Sequence, residues 1–255
     1  MAKARYTGLV FYKAYADLRA EASRTYFSFL WWILEPMLYM AGFYFVFAVL
    51  LERRTPNFVA FLLVGLVVWK WFSSTVLHAS GAILNNPGLM RQVYLPKVVF
   101  PLVTILTDTA KFLVVFSILL VFLLWNGGTF SAAWLALPLL LLVELVFLAG
   151  VACLAAAIVP IVPDIRILLE NVLLIMMFVS GIFFDPATIP EPYQTYFYMN
   201  PMATLIESFR AVLMRGEWPS MSSLVLIAGA GFALFAIAFT ILHRLDRAYP
   251  RLSNQ

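Results

Sequence analysis

Six long apolar runs limit how this chain of 255 residues can fold. They cover approximately residues 30–51, 58–82, 98–125, 133–159, 167–184 and 222–243. Each is close to the roughly 20 residues with which a helix crosses about 30 Å of hydrocarbon. The hydrophobic share of 64% and the charged share of 12% agree with this reading, because soluble domains are much more polar. We therefore predict an all-α integral membrane protein with six transmembrane helices, in a single transmembrane domain over residues 1–255.

The positive charges are concentrated at one end of these runs. An even number of spans places both termini on one side, and that side carries eleven cations: Lys3, Arg5, Lys13, Arg19, Arg24, Arg91, Lys97, Arg166, Arg244, Arg247 and Arg251. The other side carries four: Arg53, Arg54, Arg210 and Arg215. Because lysine and arginine are enriched in cytoplasmic loops, we predict a multi-pass protein with both termini in the cytoplasm.

Three further segments are too short or too polar to span a membrane. Around residues 4–27, aromatic and apolar side chains alternate with cations, which is typical of a helix in the membrane interface. We predict such a helix within residues 1–28, with an unstructured basic leader as the alternative.

A proline-bounded segment separates the second run from the third. Pro87 and Pro96 bracket eight residues, enough for about two helical turns. Leu89 and Val93 alternate there with Arg91, a pattern typical of a short amphipathic helix that docks into a partner. We predict this helix at residues 86–96, on the cytoplasmic side.

Residues 185–220 contain five prolines yet stay too apolar for a free aqueous loop. Residues 203–215 predict one helix, which begins after Asn200-Pro201 and ends at Gly216. A helix of this length cannot cross a bilayer. We predict two re-entrant half-helices that line the outer mouth of a pathway, with a simple cap on the bundle as the alternative.

Charged residues inside the runs must find partners, because an isolated charge at membrane depth costs at least a few kcal/mol. Asp108 and Lys111 are three residues apart, so we predict that they neutralise each other. Arg166 and Glu170, four residues apart, predict a second pair. Glu144 has no local partner, which leaves either a hydrogen bond within the bundle or ion coupling.

Aromatic residues make up 16% of the chain and are concentrated in two places. In the first run Trp32, Tyr39, Phe43 and Phe47 follow helical spacing, with Tyr44 beside them. The fifth run and its extension add Phe178, Phe183, Phe184, Tyr193, Tyr196 and Tyr198. Rings with polar tips suit sugars, whose C–H faces stack while their hydroxyls form hydrogen bonds. Packing against neighbouring helices or lipid is the alternative for each ring.

Several catalytic signatures are missing from the sequence. It has no G-x-x-x-x-G-K-[ST] phosphate loop, no H-E-x-x-H and no G-x-S-x-G. The single Cys153 leaves no thiol cluster for a metal. We therefore predict a chain that is not an enzyme and holds no cofactor or metal.

Two blocks carry a resemblance to a known family. The block Tyr94-Leu95-Pro96-Lys97-Val98-Val99-Phe100-Pro101 and the block from Asn200-Pro201 to Arg215-Gly216 resemble the permease subunits of type-2 ABC exporters. Drug-exporting relatives share the Asn-Pro block. The Leu-Pro-Lys and Phe-Pro pattern favours the branch that exports O-antigen, capsule and teichoic-acid polysaccharides.

The resemblance implies a homodimer in the bacterial inner membrane with two ATP-binding cassette subunits, which bind ATP and Mg, and no nucleic acid. The substrate would be an undecaprenyl-diphosphate-linked polysaccharide. A coupling helix would contact the ATPase through Pro87, Leu89, Arg91, Gln92, Val93, Tyr94 and Leu95. The polysaccharide channel would be lined by Tyr39, Phe43, Tyr44, Phe47, Phe178, Phe183, Phe184, Tyr196 and Tyr198. Arg19 and Arg24 would lie at the entry for the lipid diphosphate. A small-molecule exporter of the same superfamily and a membrane enzyme acting on lipid-linked sugars are the alternatives.

Overall fold

The computed structural model describes residues 2–24, 57–92, 95–127, 130–246 and 249, together with single positions between 34 and 45. The regular elements of this part are all helical. They are α1 (Ala2–Arg24), α2 (Phe58–Gly81), α3 (Pro87–Gln92), α4 (Val99–Trp125), α5 (Leu137–Ile158), α6 (Ile165–Val179), α7 (Glu191–Tyr198), α8 (Pro201–Arg210) and α9 (Met221–Arg244). Two 3₁₀ turns, Ala132–Ala136 and Pro186–Thr188, precede α5 and α7, and a π-helical turn, Ala211–Arg215, extends α8.

Four helices are long and apolar enough to cross a membrane. They are α2, α4, α5 with its preceding 3₁₀ turn, and α9. Their bounds agree to within one residue with the predicted runs 58–82, 98–125, 133–159 and 222–243. The described part of the chain is therefore all-α, with four helices that could each cross a membrane, as expected for a multi-pass membrane protein. The first run, 30–51, lies mostly outside the described residues, so the count of six spans stays a prediction.

The fifth run forms a shorter helix than predicted. The run covers residues 167–184, whereas α6 has 15 residues, or about 22 Å at 1.5 Å per residue. Between α5 and α9 the chain nevertheless passes from one end of the bundle to the other, because these two helices lie parallel. About halfway along the two helices Gly231 lies against Phe147, and near their ends Ala157 and Leu242 share one apolar cluster. Residues 159–220 must therefore connect opposite ends of the bundle, and α6 is the longest helix among them.

Helix α2 lies at the centre of the bundle and packs against α4, α5 and α8. Trp71 stacks on Phe112 of α4 with ring centroids 4.0 Å apart. Phe72 stacks on Phe147 of α5 at 5.7 Å. Because lipid tails are as apolar as these side chains, close packing holds such helices together better than exclusion from water does.

Glycines allow α5 and α9 to approach each other closely. A methyl group added at Gly150 would collide with the carbonyl of Gly231. One added at Gly231 would lie 2.7 Å from the Cα of Phe147. Small residues at such contacts are typical of membrane helices.

Helix α1 packs along the first half of α4. Ala14 is buried against Val99 and Val103, and Lys13 forms an ion pair with Asp17 at 3.1 Å. Residues 2–24 are therefore helical, as the amphipathic pattern predicts, and an unstructured leader is wrong for this stretch. Its position in the membrane interface stays a prediction.

Candidate functional site

The coupling segment, residues 86–98, lies between α2 and α4 and contains α3. Pro87 occupies the first position of α3, where its missing N–H costs no helical hydrogen bond. Gly88 is exposed, whereas Met90 and Leu95 are 8% and 5% exposed. The segment thus has one face turned to the bundle.

A separate apolar cluster fastens this buried face to the ends of four long helices. Met90 belongs to it together with side chains from the end of α2, the start of α4 and the ends of α5 and α9. These are Ala82, Ile83, Phe100, Ala157, Leu242 and Tyr249. Because packed interiors are dense and deform little, a displacement of α3 would be passed to all four helices.

Polar contacts fasten the same segment. The backbone N–H of Lys97 donates to Asp246 Oδ1 at 2.9 Å, and Lys97 Nζ donates to the Leu95 carbonyl at 3.0 Å. The Tyr249 hydroxyl donates to the Ala157 carbonyl at 3.0 Å. Burial, with the nearby Asp246 carboxylate, raises the pKa of Tyr249 to about 12, so it is a neutral donor at physiological pH.

The predicted ATPase-binding residues of this segment are placed only in part. Leu89 is half-buried and packs against the apolar cluster, and Leu95 is buried. Pro87 is half-buried, Arg91 and Gln92 end α3 with side chains outside the description, and Val93 and Tyr94 lie outside the described residues. Their contact with a partner stays a prediction.

At the other end of the bundle, α8 begins at a well-formed cap. The Asn200 side chain accepts from the backbone N–H of Met202 at 3.0 Å and donates to Ser180 Oγ at 2.8 Å. The predicted helix at residues 203–215 is confirmed, although it starts at Pro201 and ends in the π-helical turn. Gly216 follows with φ +69°, the left-handed conformation that ends many helices.

Arg210 is buried at the end of α8, which its position among the outer cations did not indicate. It is 1% exposed and donates to three main-chain carbonyls: Phe61 at 3.1 and 3.2 Å, Gly181 at 2.7 Å and Ile182 at 3.0 Å. Its Cζ also lies 3.4 Å from the centroid of the Phe61 ring. This guanidinium ties α8 to the start of α2 and to the turn after α6.

An ion network lies beside Arg210 on the same face of α8. Arg215 contacts Glu207 at 2.7 Å and Glu217 at 3.0 Å. Partial burial works against the Arg215 charge, but the hydrogen bond to Glu217 and the charge of Glu207 outweigh it and raise the pKa of Arg215. Arg215 therefore keeps its charge at physiological pH.

The ABC-2 type transporter family matches residues 16–214, which is most of the chain. The chain belongs to this family. The apolar cluster under α3 and the capped α8 are therefore features of an ABC-2 transporter chain.

Relatives of this ABC-2 transporter chain are named as polysaccharide exporters. The O-antigen export system permease protein RfbA of Klebsiella pneumoniae is 25% identical, over 92% of this chain and 91% of that protein. The same-named protein of Myxococcus xanthus is 26% identical, over 93% and 92%. The polysialic acid transport protein KpsM of Escherichia coli is 29% identical, over 78% and 79%.

The predicted channel aromatics divide into exposed and packed rings. Tyr39, Phe43, Tyr44 and Phe47 lie outside the described residues. Phe178, Tyr196 and Tyr198 are exposed. Phe183 is buried and packs on Phe178 with centroids 5.3 Å apart, and Phe184 packs on Phe197 at 5.9 Å. The structure thus leaves three of the five described rings with a surface that could meet a substrate.

The predicted entry cations lie on α1. Arg19 is exposed, and Arg24 is the last residue of the helix with its side chain outside the description.

The charged pairs within the ABC-2 transporter bundle follow the predicted spacing. Lys111 lies 3.5 Å from Asp108, and Arg166 lies 3.3 Å from Glu170. His78 of α2 adds a contact that spacing did not indicate, since its Nδ1 lies 2.7 Å from Asp108 Oδ2. Glu144 is fully buried, and among the described residues neither of its carboxylate oxygens has a hydrogen-bond partner.

Proposed function

We propose that this chain is the membrane-spanning subunit of an ATP-driven exporter that moves a polysaccharide across the bacterial cytoplasmic membrane. The observation that carries the proposal is the coupling segment, a short helix held against the ends of four long helices in a chain of the ABC-2 family. Such a helix is the element through which an outside source of energy can move the whole bundle. The names of relatives matched along most of their length support a polysaccharide as the substrate.

The energy source is a separate chain in this proposal. The sequence lacks a phosphate loop, so two ATP-binding cassette subunits bind ATP and Mg and press on the coupling segments of a homodimer. Pro87, Leu89 and the residues 91–94 form the contact, whereas the buried Leu95, predicted as part of it, anchors the segment to the bundle. ATP-driven closure of the partners turns the two bundles as rigid bodies and opens the seam between them.

The membrane architecture follows from the same proposal. Residues 1–255 form one permease domain with six transmembrane helices, both termini cytoplasmic, and α1 in the inner interface. Residues 185–220 form re-entrant half-helices at the outer face. The parallel arrangement of α5 and α9 supports a further crossing between them, with α6 as its helical part.

The substrate in this proposal is linked to undecaprenyl diphosphate, as in O-antigen export. Arg19 and Arg24 meet the diphosphate at the entry, because a diphosphate needs cations within reach. The aromatic residues of the first and fifth runs line the conduit between protomers. Weak stacking at many rings lets a long polymer slide without being trapped.

The double substitution Arg91→Glu with Val93→Asp tests the proposal. We expect the apparent affinity of the purified chain for its ATPase partner to fall by at least about tenfold. The reason is that two acidic side chains replace a basic one and an apolar one. Membrane insertion and surface polysaccharide are measured alongside, and Arg244→Glu is the control because it reverses an exposed charge outside the segment.

Two outcomes would contradict the proposal. Normal partner binding and export by the double variant would remove the coupling role. Loss of drug resistance with unchanged surface polysaccharide on deletion of the chain would favour a small-molecule exporter.

A further inference from the structure

A cleft opens between α8 and the first half of α9. Its volume is about 510 Å³, within the range of small-molecule sites in proteins. Its lining includes the polar and aromatic side chains of Tyr198, Glu207, Arg215 and Trp218, which we call its rim, together with the exposed Leu226 and the buried Ile227. We call this the outer cleft, because the start of α9 faces the cell exterior in the proposed orientation.

Glu207 holds Arg215 in the lining of the outer cleft. Its Oε1 is held by Arg215 Nη2 at 2.7 Å. Its Oε2 is buried and has no hydrogen-bond partner in the described part of the chain. The nearest cation recorded for it, Arg210 Nη1, is 4.0 Å away, beyond hydrogen-bond distance. Arg215 is 43% exposed, so the guanidinium that Glu207 holds keeps N–H donors for the hydroxyl of a ligand.

Aromatic side chains stand beside this ion pair. Trp218 is 58% exposed and Tyr198 is 43% exposed, so both present ring surface at the rim. Hydroxyl groups of Thr204, Ser220 and Ser223 also line the cleft. An aromatic face beside a carboxylate and hydroxyls matches a sugar ring, which has C–H faces and hydroxyl edges.

The charge of the rim argues against a phosphate group as the occupant. Arg215 contacts two carboxylates, Glu207 and Glu217, so no net positive charge is left for an anion. Phosphate recognition needs cations or free N–H donors within reach. The chemistry therefore favours a neutral, polyhydroxylated ligand over a phospholipid headgroup.

We propose that the outer cleft binds one neutral sugar unit of the exported polymer. Trp218 stacks on the sugar face, and the Arg215 guanidinium, held by Glu207, donates a hydrogen bond to a sugar hydroxyl. The proposal rests on the proposed function, since it names a subsite for that substrate apart from the conduit between protomers. Binding is weak, which suits a polymer that must move on after each contact.

The test uses the full chain in lipid nanodiscs with glucose, galactose, mannose and N-acetylglucosamine as probes, read by saturation-transfer NMR. We expect at least one sugar to bind with a Kd in the millimolar range. Trp218→Ala should weaken it by about tenfold or more, while Trp218→Phe, which keeps a ring, stays within about threefold. Trp125→Ala is the matched control, because Trp125 is 89% exposed at the end of α4 and does not line the cleft.

Glu207→Gln gives a second reading. The amide keeps an acceptor but loses the ion pair, so binding should fall by about three- to tenfold. A melting curve for each variant shows whether the fold is kept.

Three results would overturn the site. These are no binding of any of the four sugars at about 50 mM, equal binding by wild type and Trp218→Ala, or displacement of the sugar by glycerol phosphate at similar concentration. Failure of the proposed function is seen separately. In that case deletion of the chain leaves surface polysaccharide unchanged, whatever the cleft binds.

Discussion

At the residue scale, Arg210 shows how one side chain can hold three elements together. Its guanidinium donates to the carbonyls of Phe61, Gly181 and Ile182, and it lies against Gly65, which has no side chain to collide with it. A methyl group at Gly65 would lie 2.7 Å from Arg210 Nη2. The planar fork of arginine reaches several acceptors at once, whereas lysine presents a single ammonium.

We therefore expect Arg210→Lys to lower the free energy of unfolding by about 2 kcal/mol, because at least one buried carbonyl loses its donor. The measurement is the melting temperature of the detergent-solubilised protein. Arg215→Lys is the control, since Arg215 is 43% exposed and its exchange should cost less than about 1 kcal/mol. Equal losses in the two variants would show that the buried carbonyls do not depend on the guanidinium.

Glu144 is the second residue whose surroundings predict a measurable effect. It is 0% exposed on α5 and has no hydrogen-bond partner among the described residues. Replacing an unpartnered buried acid by an apolar side chain of similar size is often neutral or stabilising. We expect Glu144→Met to raise the free energy of unfolding by about 1 kcal/mol and to leave export within about twofold of wild type. A folded variant without export would instead indicate ion coupling at this acid.

At the scale of helices, the close contact of α9 with α5 needs a glycine at position 231 but not at position 229. Gly231 lies against the Phe147 backbone, whereas a methyl group at Gly229 would have nothing within 4 Å. Gly231→Ala must push the helices apart, at a cost of about 2 kcal/mol. Gly229→Ala, in the same helix, should instead gain up to about 1 kcal/mol from helix propensity. Thermal melting of both variants checks the contrast, and a stable Gly231→Ala protein would mean that the contact is not tight.

Tyr249 shares an apolar cluster with Met90 of the coupling segment. Its hydroxyl can be removed with little change in the volume of the side chain. Tyr249→Phe deletes only the hydroxyl that bonds the Ala157 carbonyl. We expect a loss of about 1 kcal/mol and faster amide hydrogen exchange over residues 95–98, measured by mass spectrometry. Tyr12→Phe is the matched control, because Tyr12 is 74% exposed. Unchanged amide hydrogen exchange in both variants would show that the Tyr249 hydroxyl does not stabilise the coupling segment.

The patterns in the sequence predict those elements and contacts that have a local cause. The four described spans follow from apolar composition alone, and the pairs Asp108–Lys111 and Arg166–Glu170 follow from helical spacing. The start of α8 follows from Asn200, which caps it.

Contacts between distant parts of the chain could not be predicted in this way. Arg210 bonds a carbonyl 149 residues away, and Lys97 and Asp246 are also 149 residues apart. His78 and Asp108 lie on different helices. Each depends on how helices pack, which the spacing of one segment does not contain.

The shortness of α6, the helix of the fifth run, has a local cause that hydropathy could not show. Helix α6 ends where Ser180 bonds back to the Met176 carbonyl and Gly181 takes φ +73°. At Gly181 an added methyl group would lie 2.8 Å from the Phe197 ring. Apolar residues continue to Phe184, so composition alone extends the run past the turn.

At the scale of the whole molecule, the two candidate sites lie at opposite ends of the bundle. The coupling segment packs with the ends of α5 and α9, whereas the outer cleft lies at the start of α9. The proposed contact with a partner, at the coupling segment, and the proposed contact with the polymer, at the outer cleft, are thus separated by the length of one membrane helix. The rigid packing of α9 against α5 between them is the physical link that the proposed cycle requires.

This arrangement makes the orientation of the whole chain testable with single cysteines. Cys153 is the one native cysteine and is fully buried, so the background of labelling should be low. Gly88 is exposed on the coupling segment, whereas Trp125 and Glu217 are exposed at the other end. In intact spheroplasts a membrane-impermeant maleimide should label Trp125→Cys and Glu217→Cys, and it should reach Gly88→Cys only after the membrane is opened.

The possible results separate orientation from fold. Labelling of Gly88→Cys alone in intact spheroplasts would reverse the orientation and place the outer cleft in the cytoplasm, which would end the proposed export role of that cleft. Labelling of Gly88→Cys and Trp125→Cys from the same side would contradict the crossing by α4 itself. The expected pattern requires both the alternation of the long helices and the excess of cations on the side of the coupling segment, because the first fixes which sites share a side and the second fixes which side is inside.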